Sequence, residues 1–475
     1  MVIDPPPPVA ARRPHVVIVG GGITGLSTAW HLHTHAPDLA VTVLEAAAHW
    51  GGKVAGGHVP APGGGRFIVD GGPDAFVTRK PELWDLAHEL GLGDRLATPG
   101  NETRNMYILE AGRPVAVPLA PHKFLGSRIL SLGGKLRLLA EPFIPARRDD
   151  GDESLWEYAA RRLGSEAAER LVGPVLAGIY NADPRTQSVL SASPVMREME
   201  KEAGGLFRGT LARGLAKARA RRAGQNLPPA FVTFSAGTHE IVEALVSRLR
   251  GAAHLRLGAP VARLEAAAPG YFVILQDGAR LVAEAVVLCT PANQAAHLLA
   301  GLAPAAARGL AAIRHSSIGT LTLAYRAADL RLPFPLQGLM IPRREGRAID
   351  ALTCPSAKLP TRAPAGYTLL RAFFGGGRPE MTALEEAELV TVVRRELHTL
   401  LGVAAEPVAW RAFRWTADFP LADVGHLDRV AAIEAQLPPG VHLAGNSYRG
   451  VGMPDCVRQG RAAAARVITQ TRIWA

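Results

Sequence analysis

Three glycines near the start of the chain have the spacing that chemistry on a dinucleotide requires. The stretch "HVVIVGGGITGLSTAWHL" sets Gly20, Gly22 and Gly25 in a G-x-G-x-x-G pattern directly after the β-branched apolar run His15 to Val19. In such a pattern the first glycine permits a tight turn and the second lets backbone approach a pyrophosphate. The third lets helix and strand pack closely. A helix over Ile23 to His33 would aim its N-terminal N–H groups and dipole at that anion. Gly20, Gly21, Gly22, Ile23, Thr24 and Gly25 are therefore candidate cofactor contacts. "VTVLE" supplies the second strand and ends at Glu45, an acid about 20 residues further on. Glu45 is placed to accept both ribose hydroxyls of an adenosine; a solvated surface glutamate is the competing reading.

Two more glycine pairs follow, in "GGK" (Gly51 to Lys53) and "VDGGPDAF" (Val69 to Phe76). A nicotinamide site needs no further glycine pair so soon after its acidic strand. A flavin dinucleotide is longer and passes more backbone, and flavin proteins of the glutathione-reductase type show such a pair. "FFGGGRP" at 373 to 379 lacks the strand, helix and acid of a second fingerprint. With no separate nicotinamide domain expected, the substrate itself should reduce the flavin, and oxygen or another acceptor should reoxidise it.

Hydride transfer to flavin N5 needs alignment more than an acid or base, because the cofactor carries the hard step. No Ser/His/Asp set, paired carboxylates or metal-ligand cluster stands out, so neither a catalytic side chain nor a metal is expected. The 15 histidines are scattered and read as surface or packing residues.

The elements that must position these groups are set by a chain of 475 residues, too long for one simple core, so two or three lobes are expected. Apolar residues make up 48%, which suits a globular protein. Fifty-three Lys+Arg against 42 Asp+Glu give +11, a surface that favours anionic partners. There is no zinc-finger spacing and no basic run interleaved with aromatics, so nucleic acid is not expected. Three cysteines without a C-x-x-C point to a reducing compartment and away from disulfides or structural zinc. The leader "MVIDPPPPVAARRP" lacks the apolar core of a signal peptide. No uncharged apolar run approaches about 18 residues, so a spanning helix is excluded and a soluble or surface-attached protein expected.

From Pro81 to about Gln225 the pattern is mostly helical, as in "PELWDLAHELG", "SLWEYAARRLGSEAAERLVGPVL" and "GLFRGTLARGLAKARARRA". A brief β-like piece, "NMYILEAGRPVAVP", interrupts it. Phe231 to Leu249 returns to strand, turn and helix, and Pro260 to Ala292 reads as β-strands. A β-rich piece from Ile313 to about Val403 follows. Near the end, "VHLAGNSYRGVGMPDC" runs from a short strand through a glycine-rich turn to a last helix. That strand would deliver Gly445 and Asn446 to the cofactor beside the first turn. Gly450 and Gly452 would let backbone pass the flavin ring. The helix after Pro454 would aim its N-terminus at the ring's electron-rich side.

"VTVLEAAAHWGGKV", "DGGPDAFVTRKPE", "GPVLAGIYNADPRTQSVLSASP", "FVTFSAGTHEIVEALVSRL", "APAGYTLLRAFFGG" and "VGHLDRVAAIEAQLPPGVHLAGNSYRGVGMPDC", with the opening stretch, follow one another in order over nearly the whole chain. The sequence resembles the oxygen-dependent protoporphyrinogen/coproporphyrinogen III oxidases of haem biosynthesis. The resemblance implies an α/β fold. A glutathione-reductase-type FAD-binding Rossmann domain would be assembled from discontinuous segments 14–80, 231–300 and 405–475. A helical domain of the kind that docks on a membrane in some relatives would span 81–230, and a mixed α/β substrate domain 301–404.

The resemblance also implies the reaction, a six-electron oxidation of a porphyrinogen to a porphyrin in three FAD-mediated steps, each yielding hydrogen peroxide. A meso carbon would give hydride to flavin N5, and imine-to-enamine tautomerisation would reset the substrate. Gly20 to Gly25, Glu45, Ala46, Gly52, Lys53, Gly71, Gly72, Pro73 and Asp74 would line non-covalent FAD. Val261 would hold the adenine side by its backbone, Trp415 would lie by the cofactor, and Val451, Gly452 and Met453 would reach the ring. Lys80 matches a basic position near the substrate. Where relatives read Pro-Gln-Tyr before Gly-His, this chain has "DFPLADVGH", which removes any aromatic hydroxyl there.

A porphyrinogen is a flat apolar macrocycle with carboxylates at its rim, so its pocket needs apolar walls and a few cations. Arg79, Lys80 and Arg104 are the candidates for carboxylate contact, with solvated surface charge as the competing reading. Tyr180 and Met340 could wall the macrocycle or belong to ordinary core packing. "GVGMPDC" and the run from Ile349 to Gly376 look closer to the coproporphyrinogen branch, and a basic chain suits a tetracarboxylate. Partners expected are the porphyrinogen and O2, in the cytoplasm or peripherally on the inner face of the cell membrane; a homodimer is left open. An amine oxidase or carotenoid-type desaturase on the same fold is the alternative enzyme. Seven Tyr and 7 Trp give little material for the aromatic cage of an amine oxidase. A non-redox carrier would lack flavin absorbance.

Overall fold

The strand His15–Val19 alternates its side chains between two separate cores. Val16 and Ile18 join one buried cluster, Val17 and Val19 the other, and Val16, Val17 and Ile18 are fully buried. A strand buried on both faces belongs at the centre of a parallel sheet covered on each side. In the computed structural model, which describes residues 13–100, 106–117, 126, 129–174 and 182–474, that is its place. Five parallel strands lie in the order His254–Arg256, Ala40–Leu44, His15–Val19, Ala285–Leu288, Val441–Leu443. The helices Ile23–His35, Glu240–Leu249 and Met453–Trp474 pack on one face through Leu26, Leu245 and Val457. The other face carries an antiparallel meander, Val261–Ala266, Tyr271–Leu275 and Arg280–Ala283, with helices Ala292–Leu299 and Pro304–Ala311. This is the expected dinucleotide-binding sheet, drawn from three separated stretches of chain.

A second sheet of seven strands stands beside it, in the order Ala409–Pro420, His315–Arg326, Tyr367–Phe374, Ala351–Thr353, Gly338–Met340, Met106–Glu110, Arg113–Ala116. Helix Glu386–Leu401 covers it with Leu389, Val393, Leu397 and Leu401, spaced four apart on one face. The sheet redraws two of the expected boundaries. "NMYILEAGRPVAVP" does not merely interrupt a helical unit over 81–230. Its residues Met106 to Ala116 form a hairpin that extends the sheet, with Gly338, Leu339 and Met340 paired in parallel to Met106, Tyr107 and Ile108. Residues 409–420, expected in the cofactor unit, pair along the strand His315–Arg326. Both corrections have one cause: the partner strand lies far away in sequence, and no local pattern names it.

The helical segment is held by buried charge. Ser154 and Glu157 form a reciprocal capping box that starts helix Leu155–Leu163. From that helix the fully buried Arg162 donates to Glu141 (Nε, 2.9 Å) and to the carbonyls of Ile144 (2.8 Å) and Gly204 (3.0 Å). Glu141 in turn accepts from the N–H groups of Leu206 (2.8 Å) and Phe207 (3.1 Å), which begin helix Leu206–Arg222. Glu200, also fully buried, accepts from Arg161 (2.6 Å), Arg197 (2.7 Å) and the Arg147 N–H (3.0 Å). Burial alone would push its carboxyl upward, but these donors outweigh burial and hold it down at about 2.

A carboxyl held below its ordinary 4.5 contributes stability that is present above that pH and lost as pH falls toward 2. Glu200→Gln should therefore destabilise the protein at pH 7 by about 3 kcal/mol. The gap to the wild type in urea unfolding should close as pH falls from 4.5 to about 2. A gap that stays constant with pH would contradict the assignment.

Candidate functional site

The first glycine turn has three kinds of surroundings, one for each glycine of the pattern. Gly20 takes a left-handed φ of 111°, and its N–H donates to Leu44 O at 2.7 Å. A Cβ on Gly25 would stand 1.9 Å from Gly20 O, so helix Ile23–His35 can lie on its strand only with glycine there. Around Gly22, by contrast, the nearest atom to a built Cβ is 3.9 Å away. That opening, at the free N–H end of the helix, is where a phosphate would pass.

Glu45 closes the turn from the side. Its Oε2 accepts from Gly21 N–H (2.7 Å) and its Oε1 from Ala47 N–H (2.8 Å), which fixes the carboxylate and leaves each oxygen a further lone pair for a ribose hydroxyl. Glu45 and Ala47 also bond to Arg256, Gly258 and Ala259 through their backbones (2.9, 3.0 and 2.9 Å). These bonds bring the stretch leading to Val261 alongside Ala46.

The second glycine pair rests on the first. Gly51 N–H donates to Gly21 O at 2.9 Å, and a Cβ on Gly52 would meet the Gly22 Cα at 3.4 Å. Next to it, a Cβ on Gly72 would stand 1.9 Å from Lys53 O and 3.9 Å from the Trp415 ring. Gly71 packs the same way against Phe413, whose ring lies parallel to that of Trp415. Lys53 itself ion-pairs with Asp418 at 2.8 Å.

Buried charges hold the loop Gly71 to Asp74. Arg371, 1% exposed, donates to both Gly71 O and Gly72 O, and Thr320 Oγ1 donates to Gly71 O at 2.7 Å. Thr238 Oγ1 donates to Pro73 O at 2.8 Å. Arg362 pairs with Asp70 at 3.0 Å and Lys358 with Asp74 at 3.2 Å. Burial raises the Asp74 carboxyl, but Lys358 and Arg371 outweigh it and hold it down at about 2.

The C-terminal glycine turn arrives beside the first one, as expected. Ala444 N–H donates to Leu288 O at 3.1 Å, and a Cβ built on Gly445 would stand 3.9 and 4.0 Å from Cys289 O and Thr24 Oγ1. Helix Met453–Trp474 then crosses Ile23–His35 closely, with a Cβ on Gly460 only 2.7 Å from Thr24 O. Asn446 and Val451 are half-buried and Met453 is buried. The Cα atoms of Gly450 and Gly452 sit over the Asp455 carboxyl, which built Cβ atoms would meet at 2.7 and 3.1 Å.

Asp455 brings two corrections. It lies in the first turn of the C-terminal helix, so that N-terminus does not present a bare positive end. Its buried carboxylate takes two hydrogen bonds from Lys80 (2.7 and 2.6 Å) and one from Arg458 (2.9 Å). Lys80, expected at a substrate carboxylate, is thus paired within the protein. Arg79 is exposed, and Met340 packs against the cluster of Ile108, Leu138 and Leu163. Arg104 and Tyr180 lie outside the described residues.

Sequence reading missed Arg362, Arg371, Asp418 and Asp455. The signal for Arg371 was present: a charged residue inside "YTLLRAFF", an otherwise apolar strand, needs a buried partner. Burial pushes the thiols of Cys289 and Cys456 up to about 12 and about 11, so both stay protonated near neutral pH. Among the described residues no group of three His, Cys, Asp or Glu side chains is placed to hold a metal ion. The site is a cradle of backbone that an added Cβ would fill. It fits an extended anionic cofactor whose chemistry comes with it.

Comparison with known proteins points to the same chemistry. Residues 23–468 match the family described as flavin containing amine oxidoreductase. Coproporphyrinogen III oxidase of Bacillus subtilis (strain 168) is 31% identical over 470 residues, covering 95% of this chain and 97% of that protein. Chloroplastic protoporphyrinogen oxidase of Oryza sativa subsp. japonica is 28% identical over 477 residues, covering 94% and 87%. The crystal structure of a candidate protoporphyrinogen oxidase from Exiguobacterium sp. 255-15 superposes with a TM-score of 0.82 at 28% identity, over 96% of this chain and 99% of that one.

Proposed function

This chain belongs to the flavin containing amine oxidoreductases, among the coproporphyrinogen III and protoporphyrinogen oxidases, and from that premise we propose that it oxidises coproporphyrinogen III to coproporphyrin III in haem biosynthesis. The observation that carries this reading is likeness from end to end to proteins named coproporphyrinogen III oxidase. It covers 95% of this chain and 97% of the Bacillus subtilis protein. Likeness to the plant protoporphyrinogen oxidases is lower, which favours the tetracarboxylate substrate. The net charge of +11 suits that anion.

The flavin is FAD, held without a covalent bond, and when bound it accepts hydride from a carbon of the substrate, with O2 as final acceptor. The chain's own residues bind and orient. Backbone N–H groups of Gly22 to Gly25 would hold the pyrophosphate, and Glu45 the ribose. Ala46 and Val261 would hold the adenine. Gly52 and Lys53, the clamped loop Gly71 to Asp74, Trp415, Gly445, Asn446, Val451, Gly452 and Met453 would hold the rest of the cofactor. Arg79 and Arg104 serve substrate carboxylates, while Lys80 acts through Asp455.

Contact with a membrane surface fits a patch on the helical segment. Leu132, Leu136 and Leu139 share one face of helix Leu132–Leu139 and are 75%, 61% and 49% exposed. Phe143 is 82% exposed, and Leu211 and Leu215 stand four apart on Leu206–Arg222. That helix contains six Arg or Lys residues and no acid, a pairing of apolar and basic groups suited to anionic lipid. Among the described residues no helix is long and apolar enough to cross a bilayer. Leu136→Glu with Leu211→Glu should abolish flotation with phosphatidylglycerol vesicles; flotation equal to wild type would refute the surface.

The activity is tested with the purified yellow protein given coproporphyrinogen III or protoporphyrinogen IX under air. Porphyrin fluorescence should rise faster with the first. No fluorescence above autoxidation with either would overturn the reading, and faster turnover of protoporphyrinogen IX would reassign the substrate.

A further inference from the structure

Strand Ala409–Pro420 breaks its ladder beside the flavin cleft. Pairing with His315–Arg326 runs regularly from Ala409 to Trp415, opposite Ile318, and resumes with Phe419 opposite Ser316. Thr416, Ala417 and Asp418 therefore stand opposite Ser317 alone. A bulge of this kind re-aims the side chains that leave it. At its centre Ala417 takes a φ of 47°, the left-handed region in which a residue bearing a Cβ is strained. Two side chains hold it there. Ser317 Oγ accepts from Ala417 N–H at 3.0 Å, and Asn293 Nδ2 donates to Ala417 O at 3.0 Å.

The next residue is Asp418, whose Oδ1 lies 2.8 Å from Lys53 Nζ. The main chain of Lys53 is already fixed, since its carbonyl lies against Gly72 Cα and its neighbour Gly52 against Gly22. Four methylenes remain free, and a lysine that must be ordered at the moment it meets an anion loses rotamer freedom in doing so. Asp418 removes that freedom beforehand. Burial holds the nearby His315 below the ordinary histidine range, so at neutral pH its ring does not compete as a cation for the carboxylate.

We propose that Asp418 is a positioning residue that fixes the Lys53 ammonium for the anionic cofactor, and that the strained bulge at Ala417 is kept to aim it. This rests on the reading of Lys53 as a cofactor contact, and the test separates the two. Asp418 acts through Lys53 alone, so its removal has a consequence only while Lys53 is present.

Flavin release is measured on the holoenzyme by dilution, reading the fluorescence of freed FAD, for Lys53→Met, Asp418→Asn and the double variant. Lys53→Met should weaken FAD binding about tenfold or more, as expected for loss of a charged hydrogen bond. Asp418→Asn, nearly isosteric, should weaken it several-fold. The double variant should bind as weakly as Lys53→Met and no more weakly. Effects that multiply in the double variant would show a merely structural role for Asp418 and overturn the proposal, as would unchanged or tighter binding in Asp418→Asn. Unchanged binding in Lys53→Met would overturn the cofactor contact, and the proposal with it.

Discussion

Where helix Ile23–His35 leaves strand His15–Val19, two stretches of main chain lie so close that a Cβ on Gly25 would sit 1.9 Å from the Gly20 carbonyl oxygen. Much of the site's geometry follows from that approach. It lays the helix flat on the sheet with its N–H groups free at the turn. It also sets the level at which Met453–Trp474 can cross, through Gly460 against Thr24, and so carries the C-terminal glycine turn to the same place. Gly72 repeats the device against Lys53. At each of these approaches a side chain would have met backbone instead.

Backbone brought this close must be held, and buried charge does that here. Arg371 spends its guanidinium on two carbonyls of one loop, and Arg362 and Lys358 neutralise the aspartates at either end of it. Such groups add little net stability, because their desolvation offsets their attraction. What they provide is position. Asp70 accepts from the Thr238 N–H just ahead of helix Glu240–Leu249, and Gly71 accepts from Arg371 and Thr320 of the seven-stranded sheet, so one loop ties the two halves together.

The parts legible in the sequence were those written locally. Gly20 to Gly25, Glu45 and the late turn at Gly445 to Gly452 each carry their geometry in a few neighbouring residues, and the parallel sheet follows from the apolar runs beside them. Other parts depend on partners far along the chain. The hairpin Met106–Ala116 and the strand Ala409–Pro420 take their places from strands more than eighty residues away. Lys80 finds Asp455 at a separation of 375 residues, which no spacing rule exposes. The bulge at Ala417 contains no glycine to mark it. Arg371 alone was open to inference, from a charge set within a buried strand.

The central claim is that glycine approaches, rather than polar side chains, shape the flavin cleft. Flavin content after purification tests it directly, by comparing Gly72→Ala with Gly57→Ala. A Cβ on Gly57 meets nothing within 4 Å, whereas one on Gly72 meets Lys53 O at 1.9 Å. The account predicts full flavin in Gly57→Ala and little or none in Gly72→Ala while the latter remains folded. A folded Gly72→Ala protein with its full flavin content would contradict it.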